Sequence, residues 1–373
     1  MRGTTKILRI FGIDIQLHYS WWFILLFLSW ALSTDFFPSF FPGYSTSMYW
    51  TMGIIAALLL FVSVLLHELS HSLVAKTQKI KVESITLFFF GGVAGISQEE
   101  MKPRSELLMA LAGPLFSLVL GGLFYLINIS NINGIFSAIS FYLYQLNFIL
   151  ALFNLVPGYP LDGGRAFRAL LYWHYRDLIK ATRIAAAVGK FFAGFLFFFG
   201  LVGLWNGVGN GLWSMLLGGF LYFIAGVSYN QVVVKDILDK IPVKDLLSTT
   251  VPVVSPEMTF KDFIAQFSKT DEDLFLVKGK KGDSVVEVQF ISRIPEKMAS
   301  KVTLKQLAVP LNRLRGLHKN DTAYTAFQRF SGQEISLLPV LENGNVIGVI
   351  RRNTVMNQLH WRLNRNSKKK RKI

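Results

Sequence analysis

Six long apolar stretches dominate the first 230 positions of the chain, at approximately 19–38, 50–75, 105–128, 135–157, 184–205 and 211–230. A helix rising ~1.5 Å per residue needs about 20 residues to cross a ~30 Å hydrocarbon layer. The pattern therefore predicts six membrane-spanning helices. Asp35 and Pro38 interrupt the first stretch near its end. Two segments break the helical pattern. Lys81–Gln98, KVESITLFFFGGVAGISQ, is rich in β-branched and aromatic residues around a Gly pair and reads as strands joined by a turn. ILRIFGIDIQLH at 7–18 reads as a similar short pair of strands before the first span.

After Asn230 the pattern changes to mixed α/β and repeats internally. VVSPEMTFKDFIAQF at 253–267 matches GLHKNDTAYTAFQRF at 316–330, with Thr259 opposite Thr322 and Phe267 opposite Phe330. The same offset lays LFLV at 274–277 over LLPV at 337–340, and a short adjustment lays QFISR at 289–293 over GVIRR at 348–352. Each copy reads strand, helix, strand, strand, helix. The expected organisation is a six-span membrane domain at 1–230, a linker at 231–242, a tandem α/β domain at 243–361 and a basic tail at 362–373.

Composition agrees with a membrane protein. Hydrophobic residues make up 52% of the 373 positions, with 33 Phe and 8 Trp, while charged residues make up 17%. A soluble domain this apolar could not cover itself with polar surface. There is no Cys, which excludes disulfides, Cys-ligated zinc and a Cys nucleophile together. The net charge of +16 could suggest nucleic acid, but its placement argues against that partner. Arg2, Lys6 and Arg9 precede the first span, and the loop at 35–49 has no Lys or Arg. Lys76, Lys79, Lys81, Lys102 and Arg104 flank the next connection, 129–134 has none, Arg165 to Lys190 follow, and 206–211 is uncharged. By the positive-inside rule both termini face the cytoplasm of a multi-pass cell-membrane protein. No small-residue cleavage site follows the first apolar stretch, so no removable leader is read. The closing run Lys368–Lys372 is a solvated tail or a contact for anionic lipid.

The chemistry concentrates in His67-Glu68-Leu69-Ser70-His71, an H-E-x-x-H motif inside the apolar run LLLFVSVLLHELSHSLVA. On a helix, positions i and i+4 share a face, so both imidazoles can meet one metal ion. The intervening Glu lies about 100° round the helix, within reach of a water at the metal. Ionisable groups in a membrane span are costly unless paired or metal-bound. A hydrolytic zinc site wants a third protein ligand and an open position. His318 and His360 belong to the tandem domain, while His18 and His174 read as interfacial or surface residues. Asp162, in NLVPGYPLDGGR at 154–165, is the better candidate. Pro157, Gly158, Pro160, Gly163 and Gly164 prevent a continuous helix there, and broken backbone at membrane depth survives only within protein or beside a water-filled cavity.

Together, HELSH, FFGGVA, LAGPLFSL and the N-x-x-P-x-x-P-L-D-G-G run resemble the site-2 protease family, peptidase family M50. More narrowly, the chain resembles the prokaryotic subgroup with a C-terminal CBS pair. The resemblance implies an α-helical polytopic membrane protein, with six transmembrane helices and short β-strands, joined to a tandem CBS-like α/β domain. It also implies that His67, His71 and Asp162 bind Zn2+, that Glu68 is the catalytic base, and that Asn154 positions substrate or stabilises the transition state. Gly91 and Gly92 would belong to β-structure beside an extended substrate. The implied partners are transmembrane protein substrates and the lipid bilayer, cleaved in regulated intramembrane proteolysis that the CBS pair modulates.

An amide within a substrate helix is already hydrogen-bonded, so the substrate must unwind. Pairing with an edge strand near Gly91–Gly92 would replace the lost bonds. A CBS-gated cation transporter and a catalytically silent membrane sensor are the competing classes. Transport would not need Glu68 between two His, and a silent relative would be free to lose any of the site residues. CBS pairs often bind an adenine nucleotide, but its signature is degraded here. The first copy has Gln289, Ser292 and Pro295, the second Gly348, Arg351 and Thr354 with Asn353 adjacent. Nucleotide sensing and a homodimer or gating role for the pair both stay open.

Overall fold

The computed structural model describes residues 3–89, 91–96, 101–130, 134–207, 211–248, 251–267, 270, 274–278, 283–287, 301–311, 314, 316–331, 336–342 and 345–370. The chain forms two compact units, Met1–Asn230 and Gln231–Ile373.

Among the described residues of the chain, six helices are long and apolar enough to cross a membrane. The first runs Ser20–Phe40 and comprises α1 (Ser20–Ala31), a π-helical turn (Leu32–Phe36) and α2 (Phe37–Phe40). The others are α3 (Thr46–Thr77), α4 (Pro103–Ile129), α5 (Ile135–Asn154), α7 (Leu178–Trp205) and α8 (Gly211–Asp239). The Ser45 hydroxyl caps α3 by accepting from Met48 N, and the Asp177 carboxylate caps α7 by accepting from Lys180 N. Their outward faces remain apolar: Phe191 is 79% exposed and Trp205 91%. Such surface suits hydrocarbon rather than water. All six predicted spans have a counterpart, although α7 starts at Leu178 rather than 184 and α8 extends through Asp239, across residues read as linker.

One helix was not foreseen. Residues 162–175, read as helix-breaking turn and basic loop, form α6 (Asp162–Tyr175). The break is confined to 155–161, and Gly163 and Gly164 lie inside the helix. Their role is close approach: a Cβ on Gly164 would collide with the backbone of Gly158 and Tyr159, and one on Gly163 with that of Leu155. The loop stays hydrogen-bonded, with Tyr159 N donating to Ala185 O of α7 (3.1 Å) and Leu161 N to Gly158 O (3.0 Å). This meets the demand that buried backbone be satisfied.

The two segments read as strand pairs join in one four-stranded sheet, ordered β1 (Thr4–Ile10), β2 (Ile13–His18), β3 (Val82–Phe88), β4 (Gly91–Ile96). The β1–β2 and β3–β4 pairs are antiparallel, while β2 and β3 pair in parallel with Ile15 opposite Ile85. Ile13, Ile15, Val82 and Ile85 are buried with Leu69 and Ala75 of α3 and Met109 of α4. That cluster fixes the sheet against the helix carrying the HELSH motif. It leaves β4 at the edge.

The second unit repeats its topology. β5 (Val253–Val254) pairs in parallel with β6 (Leu274–Val277), which pairs antiparallel with β7 (Ser284–Glu287). β9 (Leu317–His318), β10 (Leu337–Glu342) and β11 (Asn345–Arg351) repeat that pattern, and β8 (Val309–Pro310) extends the first sheet. Helices α9 (Phe260–Phe267) and α11 (Ala323–Ser331) occupy equivalent places, with a short α10 (Leu304–Leu307) between them and α12 (Arg352–Lys370) closing the unit. Gln289, Ser292 and Pro295 lie outside the described residues. A Cβ on Gly348 would stand 2.9 Å from Leu247 Cδ1 and Ser248 O, so this position is filled by the chain itself.

Candidate metal centre

His67 and His71 lie one turn apart on α3, each 3% exposed, in a helix built otherwise mainly of apolar residues. Helix α4 runs beside them and fixes both rings through their Nδ1 atoms. His71 Nδ1 donates to the Met109 carbonyl at 2.6 Å, and His67 Nδ1 meets Ser117 Oγ at 2.9 Å. A carbonyl only accepts, so the His71 proton sits on Nδ1 and its Nε2 presents a lone pair. The two Nε2 atoms lie 3.2 Å apart.

Asp162 is the first residue of α6, and its Oδ2 lies 3.2 Å from His67 Nε2 and 3.1 Å from His71 Nε2. The three atoms form a nearly equilateral triangle. Ligands held about 2.0–2.1 Å from zinc at tetrahedral angles would be about 3.3 Å apart. Three electron-rich atoms converging among buried side chains repel one another unless a cation sits between them. Two imidazoles and one carboxylate are a donor set suited to catalytic zinc. The residues therefore fit the metal. Among the described residues, these three form the one group arranged to hold an ion.

The remaining site residues divide. Glu68 lies against the start of β4: a Cβ on Gly92 would be 2.5 Å from Glu68 Cγ, so only glycine leaves that carboxylate its place. Gly91 contributes differently, with φ +125 and nothing near its missing Cβ, as the residue that turns the chain into the strand. Asn154 ends α5, where its amide donates back to Leu150 O at 3.0 Å. It is not one of the converging atoms. His18 bonds Ser20 Oγ at 2.8 Å and His174 stacks edge-on to Tyr175, so neither competes as the third ligand.

Sequence reasoning missed the contribution of α4. A Cβ on Gly113 would collide with Nε2 of both His67 and His71. Pro114 follows and has no N–H to give Ala110 O. Ser117 and Gly113 sit in the LAGPLFSL run, whose small residues within an apolar helix were the available signal. Met109 acts through its backbone and left no signal in its side chain. Also unforeseen is a buried ion pair, in which Arg168 of α6 donates from Nε to Glu106 Oε1 at 2.8 Å and again from Nη2.

Comparison with known proteins bears on this geometry. The model of peptidase family M50 matches residues 55–141 and 128–199, and that of the CBS domain matches 313–360. The chain is 32% identical over 95% of both chains to a Synechocystis protein named as a candidate zinc metalloprotease. It is 34% identical to a zinc metalloprotease of Methanocaldococcus jannaschii, covering 71% of this chain and 72% of that one. Among solved structures, a site-2 protease from the same archaeon matches 60% of this chain and 94% of its own at 32% identity, with a TM-score of 0.41.

Proposed function

This chain belongs to peptidase family M50 and is a membrane metalloprotease, and we propose that it uses zinc to cut peptide bonds within or near the membrane-spanning segments of other membrane proteins. The observation that carries this reading is the convergence of His67, His71 and Asp162 on one point, beside Glu68, on helices otherwise fit for lipid.

When bound there, zinc polarises a carbonyl oxygen and makes a water acidic near neutral pH. The chain's own groups do the rest. Glu68 takes the proton from the attacking water at its carboxylate and delivers it to the leaving amine. The Met109 carbonyl holds His71 in the tautomer that turns a bare Nε2 inward, and Ser117 fixes the orientation of the His67 ring. Glu68 abuts β4, the free edge of a sheet, where an unwound substrate segment can pair through its backbone. Asn154 is assigned to substrate positioning. His67 lies about 15 Å of helix from the Thr77 end of α3, at ~1.5 Å per residue, so cleavage takes place inside the bilayer toward the cytoplasmic side. Both termini are assigned to that side. We assign the tandem unit a modulating role. The packing of Gly348 against Leu247 and Ser248 favours action through self-association or gating over a bound adenine nucleotide.

The decisive experiment is Glu68→Gln in the full-length protein. Glu68 is not a ligand, so zinc content should match wild type while cleavage of a model transmembrane peptide falls by about 10²–10⁴-fold. A chelator should abolish wild-type cleavage and added zinc restore it. Wild-type cleavage by the Gln variant would remove the activity from this motif.

A further inference from the structure

Glu106, Met109, Gly113 and Ser117 follow one another on α4 at spacings of three, four and four, which places them on one face of the helix. Three of them meet the imidazoles, as described. Glu106, on the same face one turn nearer the helix start, meets α6 instead. It is 2% exposed, and its Oε1 accepts twice from Arg168 of α6. Arg168 Nη1 donates in turn to the Tyr159 hydroxyl at 3.2 Å, and its guanidinium lies 4.7 Å from the centre of that ring.

The positions of these partners matter. Tyr159 precedes Asp162 by three residues in the non-helical loop, and Arg168 follows it by six on α6. The network therefore grips the chain on both sides of Asp162 and ties it to the helix that orients His67 and His71. Nothing in the reaction uses these charges, and a buried ion pair is a poor source of stability compared with apolar packing. What it supplies is geometry: a guanidinium has donors in fixed directions, here shared between a carboxylate and a phenol.

We propose that Glu106, Arg168 and Tyr159 are positioning residues that hold Asp162 in register with the two imidazoles, so that α4 sets the placement of all three ligands. This rests on the zinc reading above. Asp162 directly follows a seven-residue break, and coordination demands that its carboxylate be held to within a few tenths of an ångström.

The test uses the full-length protein in detergent and three variants. In Glu106→Leu/Arg168→Met both charges are replaced by apolar groups of similar size, which should leave the melting temperature near wild type. Its zinc affinity, read by competition with a chelator, should nevertheless fall by about 10–100-fold, the range for loss of an outer-shell partner. The absorption bands of the cobalt-substituted protein, which report ligand geometry independently of turnover, should shift. Arg168→Lys should not rescue, because an ammonium cannot reproduce the fork. Tyr159→Phe should give a smaller change in the same direction. Wild-type zinc affinity and an unchanged cobalt spectrum in the double variant would overturn the proposal. If that variant does not fold, the same result in Tyr159→Phe would overturn it. A wild-type protein that holds no zinc would instead bring down the reading beneath it, and this one with it.

Discussion

The two units bury different kinds of group. Among the described residues, the buried polar side chains all belong to Met1–Asn230: His67, His71, Glu106, Ser117, Asn147, Thr182, Thr86 and several serines. In Gln231–Ile373 the buried set is apolar, with Leu317, Leu338, Val340 and Ile350 in one cluster and Phe260, Phe263 and Phe275 in another. Lys319 and Glu342 form an ion pair at its surface, 3.0 Å apart and 47% and 44% exposed. Polar groups within a membrane unit are expensive and persist where each has a partner or a task. Among its described residues, the second unit keeps an apolar interior.

This contrast can be broken by experiment. Asp162→Ala should have the largest effect, since on the proposed reading it removes a ligand outright. Zinc affinity should fall by more than the ~10–100-fold that loss of a ligand's own partner brings, with cleavage lost alongside. Full zinc content in that variant would remove Asp162 from the site. Gly113→Ala comes next and separates site from scaffold. Alanine favours a helix over glycine by about 0.5–1 kcal/mol, yet its Cβ would collide with both inward nitrogens. Zinc should be lost while thermal stability holds, and retention of zinc would show that α4 stands further off. Lys319→Ala in the second unit should do least. An exposed pair contributes about 0–1 kcal/mol, so melting, zinc content and cleavage should all stay close to wild type. A large loss of zinc there would erase the distinction between the units.

Legibility in the sequence followed the range of the interaction. The six apolar runs and the HELSH spacing are local, and each has its counterpart in the structure. The internal repeat was also legible: α9 and α11 begin immediately after Thr259 and Thr322, the two positions that the repeat aligns. Asp162 was found through the prolines and glycines around it, but its setting was misjudged. Gly163 and Gly164 read as helix breakers because, taken alone, glycine disfavours a helix. In the structure they are helical because the preceding loop folds back so closely that no side chain could fit. The parallel pairing of β2 with β3 joins segments separated by two spans, and no pattern within either strand announces its partner.

By itself the sequence determined which segments cross the membrane, that two imidazoles share a helix face, and that the C-terminal unit is duplicated. These follow from hydropathy, from a 3.6-residue period and from self-similarity, each a property of a short stretch. Only the tertiary structure decided how the site closes. It brought Asp162 within 3.1 and 3.2 Å of nitrogens more than ninety residues away and set the Met109 carbonyl against His71 Nδ1. It also set β4 at the edge of its sheet beside Glu68 and buried Glu106 against Arg168. The reason is physical. Buried polar groups must find partners, and which partners lie within reach depends on how helices distant in sequence come to pack.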